Sequence, residues 1–202
     1  KRWFGDSVVT DNGKPMSDGG KPLVVYHGTV ADVTEFSEQN IKRPYNGYGY
    51  HFATKPSVAN HYADHKYLSN GNVMPVYLNI KNPFTGDFFE FKKENNFGLF
   101  EDYEATEALK QLGYDGIRYD DTKGMPKGKG GVNYVAFDPT QVKSATGNNG
   151  NFDPTNPDIR FARGEPTAPD SFGAAMASRA RIVGQTTRQH TPEQIRAMEN
   201  VG

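Results

Sequence analysis

Two short segments that combine strand-forming residues with glycine constrain the fold of this chain more than any other part. The first is VVYHGT at Val24–Thr29, and the second is GYGYHFA at Gly47–Ala53. β-branched and aromatic residues favour strands, and a glycine at a strand end lets a flat ligand approach the bare backbone. A helix-like stretch, PSVANHYA, follows the second segment directly. Together the segments predict a binding pocket built from two strand ends and one helix.

The rest of the chain to about residue 147 adds strands and one more helix. Apolar and polar residues alternate over Val73–Ile80, as in a half-buried strand. We predict strands at Leu23–His27, Tyr50–Ala53, Val73–Ile80, Gly116–Tyr119 and Val132–Phe137. We predict helices from Ser57, as the capping residue, to about His65, and at Glu101–Leu112; the aromatic stretch Phe84–Phe100 is expected to be irregular. This order predicts an α+β domain with a mainly antiparallel, split sheet.

Composition divides the chain into a folded part and a tail. The hydrophobic share is 35% and the mean hydropathy is −0.75, which is low for a compact enzyme of 202 residues. After Gly147 the chain is rich in Gly, Asn, Pro and Asp, and large apolar residues become rare. We therefore expect a domain over residues 1–147 and an extended linker or tail over 148–202. The sequence TPEQ predicts a helix start at Thr191. Because the chain begins with Lys1, we expect it to be part of a longer protein.

Charge and cysteine content exclude several function classes. The net charge is −1, so no global field attracts nucleic acid or a membrane. The chain has no cysteine, which excludes disulfides, thiolate metal sites and a cysteine nucleophile. No apolar run approaches the ~20 residues of a membrane span, so we expect no membrane partner. His61 and His65 have the i,i+4 spacing of metal ligands, but no third ligand is evident, and we predict no metal site.

Five segments in a fixed order resemble the poly(ADP-ribose)-polymerase-like branch of ADP-ribosyltransferases, in particular transferase domains of large phage and mobile-element proteins. They span about Phe4 to Phe161 and read DNGKP…PLVVYHGT, GYGYHFATKPSVANHYA, PVYLNIKNPF, GYDGIRY and VNYVAFDPTQVKSATGNNGNFDPTNPDIRF. The resemblance implies the ADP-ribosyltransferase fold, with its split antiparallel sheet, and NAD as the substrate. It also implies action in a bacterial cytoplasm, after delivery by a phage or mobile element.

The resemblance implies a catalytic triad of histidine, tyrosine and commonly glutamate. His27 matches the first position, but the second falls on His51 and the third on Asn133. Tyr50, next to His51, could supply the aromatic ring after a small shift. A hydrogen bond from a charged group contributes roughly 1.5–3 kcal/mol and a neutral one roughly 0.5–1.5 kcal/mol. Asparagine in place of glutamate therefore predicts a loss of rate of about tenfold or more.

The same resemblance implies the residues that hold NAD. Gly28 offers a backbone clamp for the carboxamide, beside His27 and Thr29 for the adenosine ribose. Ser57 can donate a hydrogen bond to the carboxamide, although it is also a natural helix cap. An aromatic ring can stack on nicotinamide from either side. The full set implied for NAD is His27, Gly28, Thr29, Tyr50, Phe52, Ser57 and Tyr62, where Tyr62 is equally explained as a core aromatic.

Three functions stay open at this point. The first is a mono-ADP-ribosyltransferase that modifies a protein or nucleic-acid acceptor, with Asp120 or Asp121 as possible substitutes for the missing carboxylate. The second is a non-catalytic domain of the same fold that binds NAD, ADP-ribose or a partner. The third is an RNA 2′-phosphotransferase, which needs a set of arginines that only Arg43 and Arg118 could begin to supply. The sequence specifies neither the acceptor nor an oligomeric state.

Overall fold

The computed structural model describes residues 3–30, 33–37, 41, 46–63, 71–122, 130–148 and 153–160. The chain divides into two units, Lys1–Arg163 and Gly164–Gly202. The second unit, including the helix start predicted at Thr191, lies outside the described residues. The described part contains seven strands and three α-helices, which confirms the predicted α+β class. None of these helices has the length and hydrophobicity that a membrane span requires.

The seven strands form one sheet that is almost entirely antiparallel. In chain order they are β1 Val25–Thr29, β2 Tyr50–Ala53, β3 Asn72–Leu78, β4 Pro83–Phe84, β5 Gly116–Asp120, β6 Val132–Ala136 and β7 Val142–Ser144. Their order across the sheet is β4-β5-β6-β2-β1-β3-β7. Every neighbouring pair is antiparallel except β4 and β5. The two glycine-rich segments therefore supply the central neighbours, β1 and β2.

The sheet has a different hydrophobic core on each face. Because side chains alternate along a strand, Val25, Tyr50 and Phe52 share one face, and they pack there with Tyr134. On the other face, Ile117 and Val135 pack with buried residues of the helices Phe88, Ala105 and Leu109. The second face thus carries the helices, and residues that alternate with the first core point towards them.

The helices are α1 Pro56–Ala63, α2 Phe88–Glu94 and α3 Asp102–Gln111. The sequence predicted α1 and α3 with small errors at their ends, but it missed α2 inside the stretch that was expected to be irregular. The Asp87 carboxylate caps α2 by accepting hydrogen bonds from the backbone N–H groups of Phe89 (2.8 Å) and Glu90 (3.1 Å). Aromatic residues on several sides of α2 hide its helical period, which explains the wrong prediction.

Residues 153–160 pack on the domain, beyond the end that composition predicted at residue 147. Ile159 is buried, and its carbonyl accepts a hydrogen bond from Ser144 N in β7 (2.8 Å). Its own N–H donates to Thr34 O (3.1 Å). The ammonium of the buried Lys143 donates to the carbonyl oxygens of Asn156 and Asp158. One apolar anchor and four hydrogen bonds hold a segment whose composition alone resembles a linker.

Candidate functional site

The sheet is split between β1 and β2. Their ladder consists of a single pair, Tyr26 with Ala53, within the two described strands. β1 nevertheless stays paired with β3 through to Thr29, and β2 stays paired with β6 over its whole length. The ends of β1 and β2 that carry the predicted site residues therefore face each other across an opening in the sheet.

The opening lies where Gly28 and His51 would form the next hydrogen-bonded pair. Alternate residues of an antiparallel strand direct their N–H and C=O groups to the same neighbour. Pro75, opposite Tyr26 in β3, has no N–H, and its carbonyl accepts a hydrogen bond from Ala145 N (3.0 Å). Tyr26 therefore makes no backbone hydrogen bond to Pro75, and the N–H and C=O groups of Tyr26 and Gly28 are directed towards β2. The Gly28 peptide groups thus point into the split, where sequence analysis predicted a carboxamide clamp.

The His27 side chain spans the split in place of a backbone ladder. Its Nδ1–H donates to the carbonyl oxygen of His51 at 2.8 Å. A carbonyl can only accept, so the hydrogen is on Nδ1 and the lone pair of the neutral ring is on Nε2. The ring packs against Phe36 and Phe52, with centroid distances of 5.0 and 5.5 Å. Burial lowers the pKa of His27, which keeps Nε2 a hydrogen-bond acceptor at neutral pH.

His51 is held by the turn that precedes its strand. Its Nε2–H donates to the carbonyl oxygen of Gly47 at 3.1 Å. Gly47 has φ of +106°, and a Cβ there would lie 2.3 Å from Ile117 Cδ1, so this turn requires glycine. Burial lowers the pKa of His51 to about 4, against the smaller opposite effect of the Gly47 bond. The ring is therefore neutral in the folded protein above that pH.

Tyr50 and His51 lie on opposite faces of the sheet. Tyr50 is 5% exposed and packs against Phe36 at 5.2 Å, in the first core, together with Phe52. His51 pairs with Val135 and shares its helix-covered face. Exchanging the two rings would need a one-residue shift of β2, which would also move Phe52 out of the core. Tyr50 and Phe52 thus belong to the first core, and His51, not Tyr50, lies on the helix-covered face.

Gly28 is required by packing as well as by the split. A Cβ on Gly28 would lie 1.8 Å from the carbonyl oxygen of Ala59 in α1. The space that a side chain would fill is therefore occupied by the helix, whereas the sequence suggested that a ligand would use it. The peptide groups, which lie in the plane of the sheet, remain directed into the split. Thr29, half-buried, ends β1 opposite Asn72.

Asn133, at the third triad position, lies on the same face as His51. It is 4% exposed, and its Nδ2 donates to Gly131 O at 3.1 Å. Asn133 pairs with Ala53 on one side and with Tyr119 on the other. A buried neutral amide thus occupies the position where the family pattern has a carboxylate.

Tyr119 is a residue of this face that sequence analysis missed. Burial is the main cause that raises its pKa to about 12, and its hydroxyl is hydrogen-bonded to Asn46. It also interacts electrostatically with Tyr62 and Asp121. The alternation in GIRYD places Ile117 and Tyr119 on one face, which was the signal available in the sequence. The phenol stays protonated at neutral pH and can donate or accept a hydrogen bond.

The two α1 candidates, Ser57 and Tyr62, have exposed side chains. Tyr62 is 60% exposed, so the alternative that it is a core aromatic is wrong. Its interaction with Tyr119 places it near the face that carries Asn133. Ser57 is the second residue of α1, which begins at Pro56, so the prediction that Ser57 caps the helix is also wrong.

Asp120, Asp121 and Arg118, the other candidates within the described residues, make hydrogen bonds of their own. The Asp121 carboxylate accepts a hydrogen bond from Gly131 N (2.6 Å), and Asp120 accepts one from Thr122 N (2.9 Å). Arg118 is hydrogen-bonded to the Tyr134 hydroxyl, on the face away from His51. Arg43 and His65 lie outside the described residues. In the part of the chain that the structure describes, no three His, Asp or Glu side chains are grouped to hold a metal.

Comparison with known families decides the identity of this architecture. The family described as ADP-ribosyltransferase in polyvalent proteins matches residues 17–152, which is more than half of the chain. The chain belongs to this family. The match includes β1, β2, β6 and therefore all three triad positions. No curated protein and no solved structure matches the chain. Family membership makes ADP-ribosyl transfer the general activity of this transferase domain.

Proposed function

We propose that this domain is an NAD-dependent mono-ADP-ribosyltransferase of the poly(ADP-ribose)-polymerase-like branch, acting on a protein or nucleic-acid acceptor. The observation that carries the proposal is the Gly28 peptide directed into the split beside the His27–His51 bond. A carboxamide offers one acceptor oxygen and one donor NH₂, and the N–H and C=O of a single residue complement that pair. Nicotinamide would therefore bind in the split.

The side chains around the split support the rest of the NAD site. His27 Nε2 accepts a hydrogen bond from a hydroxyl of the adenosine ribose, because Nδ1 is already committed to His51 O. Tyr62, exposed on α1, supplies a ring that can stack on nicotinamide. His51 lines the opposite side, where a neutral imidazole avoids repulsion with the positively charged pyridinium of NAD.

The transfer step breaks the bond between the ribose C1′ and the nicotinamide nitrogen. The electron pair leaves with nicotinamide, which becomes neutral, and positive charge develops on the ribose. An acceptor oxygen or nitrogen then bonds to C1′ and releases its proton. Asn133 can hold a ribose hydroxyl through its amide, but it adds no charge to stabilise the cation. The neutral amide favours slow transfer of single units over chain elongation.

NAD binding with a His27→Ala variant tests the proposal. We expect titration calorimetry to show affinity weakened by about tenfold, since one hydrogen bond near the ribose is lost. His190→Ala, in the second unit, is the matched control and is expected to bind NAD normally. Unchanged affinity of His27→Ala would mean that the pocket lies elsewhere.

A second function, a non-catalytic module that binds NAD, ADP-ribose or a partner, is favoured by the two departures from the family pattern, Asn133 and His51. Nicotinamide release from labelled NAD, with and without a bacterial lysate as the acceptor source, separates the two functions. Release supports the transferase, and tight NAD binding without release supports the module. The family name refers to polyvalent proteins, and we place the domain in a bacterial cytoplasm, delivered by a phage or mobile element.

A further inference from the structure

Four of the seven large hydrophobic side chains exposed in the described part of the chain lie in α2, α3 and the loop between them, and we call these four the apolar patch. The patch consists of Phe89, Leu99, Phe100 and Tyr103, which are 45%, 70%, 81% and 50% exposed. Phe89 and Leu99 border one surface depression together with Phe97. Scattered exposed apolar residues are ordinary, but a group of four within fifteen positions indicates an interaction surface.

The loop that carries the patch is held in place from below. The Lys92 ammonium, 3% exposed, donates to Leu99 O (2.9 Å) and to the Asp102 carboxylate (2.7 Å). The Glu101 carboxylate accepts a hydrogen bond from Gly98 N at 2.6 Å. A surface that is ordered before binding loses little conformational entropy when a partner docks.

The charge around the patch selects the kind of partner. Residues 87–104 contain two lysines and six acidic residues, so this segment has a net charge of −4 in a chain whose total is −1. The acidic residues are Asp87, Glu90, Glu94, Glu101, Asp102 and Glu104. Lys92 pairs with Asp102 at 2.7 Å and Lys93 pairs with Glu90 at 3.4 Å, so the surplus negative charge belongs to the other four carboxylates. Nucleic acid, an anionic membrane and a second copy of this acidic surface would all be repelled.

We propose that the apolar patch docks a basic, amphipathic segment of a partner protein. Apolar side chains of that segment would cover Phe89, Leu99 and Phe100, and its Lys or Arg residues would pair with the exposed Glu94 and Glu104. Docking of this kind requires neither NAD nor the transfer reaction.

The patch adjoins the strand that carries His51. The ring of Tyr103 packs edge-on against Tyr48 at 5.1 Å, and Tyr48 N donates to Thr106 Oγ1 (2.8 Å). Tyr48 precedes β2 by two residues. A partner held on the patch therefore lies beside the segment that leads into β2. On the proposed transferase function, an acceptor protein docked there would be close to the split.

Fluorescence anisotropy with two labelled model peptides tests the docking surface. One is an amphipathic helix of Leu and Lys, and the other has the same pattern with Glu in place of Lys. We expect the full chain to bind the basic peptide in a salt-sensitive manner and to ignore the acidic one. Equal binding of both peptides would overturn the proposal.

Two double variants show whether the patch is the binding surface. We expect Leu99→Ser with Phe100→Ser, and separately Glu94→Lys with Glu104→Lys, to weaken binding of the basic peptide by about tenfold or more. Leu112→Ser, at an exposed leucine (64%) at the far end of α3, and Asp6→Lys are the matched controls and should bind normally. Circular dichroism checks that each variant is folded.

Two further outcomes would contradict the proposal. Unchanged affinity of both double variants would show that the peptide binds elsewhere. Sedimentation velocity that reveals a dimer of the unmodified chain, lost in the Leu99→Ser, Phe100→Ser variant, would identify a second copy as the occupant instead of a basic partner.

Discussion

The split at β1 and β2 and the segment 153–160 use the same device for opposite purposes. In the split, His27 donates to one backbone carbonyl, that of His51, and the sheet stays open. At the other region, Lys143 donates to two carbonyls, and backbone bonds of Ile159 on both sides complete the closure. The His27 side chain thus takes the place of a backbone hydrogen bond between β1 and β2 and leaves the sheet open. The Lys143 side chain adds to backbone hydrogen bonds and fixes segment 153–160 on the domain.

The two regions also differ in what remains for a ligand. The Nε2 lone pair of His27 can accept a hydrogen bond, and the peptide groups of Gly28 point into the opening. The Lys143 ammonium has no acceptor lone pair, and its hydrogens serve the Asn156 and Asp158 carbonyls. Burial lowers the pKa of Lys143, while Asp153 and Asp158 oppose that shift. The first region has the properties of a binding site and the second those of a structural clamp.

The largest expected effect comes from filling the space beside the split. Gly28→Ala would place a Cβ 1.8 Å from Ala59 O, and a backbone carbonyl cannot move without shifting α1. We expect a loss of about 3 kcal/mol in the free energy of unfolding, measured by urea denaturation. In the control Gly131→Ala, the new Cβ would lie 3.4 Å from its nearest neighbour, Thr54 Oγ1. This variant should change the free energy of unfolding by less than about 1 kcal/mol. A fully stable Gly28→Ala variant would contradict the packing of α1 on β1.

Acid should destabilise the split through protonation of His51. The folded-state pKa of His51 is about 4 and its ordinary value is 6.5, so protons bind the unfolded chain first. The stabilising contribution is complete above pH 6.5 and is lost as the pH falls towards 4, by at most about 3 kcal/mol. His51→Gln keeps a donor for Gly47 O but does not titrate. The difference in the free energy of unfolding between the unmodified chain and His51→Gln should therefore shrink or invert as the pH falls from 7.5 to 4.5. A difference that stays constant over this range would contradict the prediction.

Replacing Lys143 should release segment 153–160 and leave the split unchanged. Lys143→Met leaves two partly buried carbonyls without their donor, and we expect a loss of about 2 kcal/mol in the free energy of unfolding. Limited digestion with a protease that cuts before aspartate should then cleave at Asp153 and Asp158 in the variant but not in the unmodified chain. Exposed Lys81→Met is the control. If the unmodified chain is cut there equally fast, the folded part ends near residue 147, as composition alone predicts.

The smallest expected effect is on the chemistry of the split. If the domain is an attenuated transferase, Asn133→Glu should raise nicotinamide release by about tenfold, because it places a charge beside the developing cation. Asp120→Ala and Asp121→Ala are companions that show whether another carboxylate already serves. Loss of nicotinamide release in either aspartate variant would show that its carboxylate already stabilises the developing cation. A decrease with Asn133→Glu would show that the buried charge lacks partners and that the neutral amide is the working group.

Much of the fold followed from local sequence, whereas the predicted triad positions came from the family resemblance. Alternating apolar and polar residues predicted β3, and glycine next to histidine predicted the end of β1. These signals are local because strand period and glycine geometry depend on a few neighbouring residues. The same locality explains the failure at α2, where Phe88, Phe89 and Phe91 face several directions and leave no clear period.

Only the tertiary structure decided which side chains meet. From the sequence alone, the resemblance to ADP-ribosyltransferases predicted His27, His51 and Asn133 as the triad positions, and the residue type showed that Asn133 carries no charge. The tertiary structure decided that Tyr50 lies in the core, that Tyr119 joins the face of Asn133, and that residues 153–160 belong to the domain. Strand pairing and long-range hydrogen bonds settle these points, and they join residues far apart in the chain whose composition gives no sign of their partners.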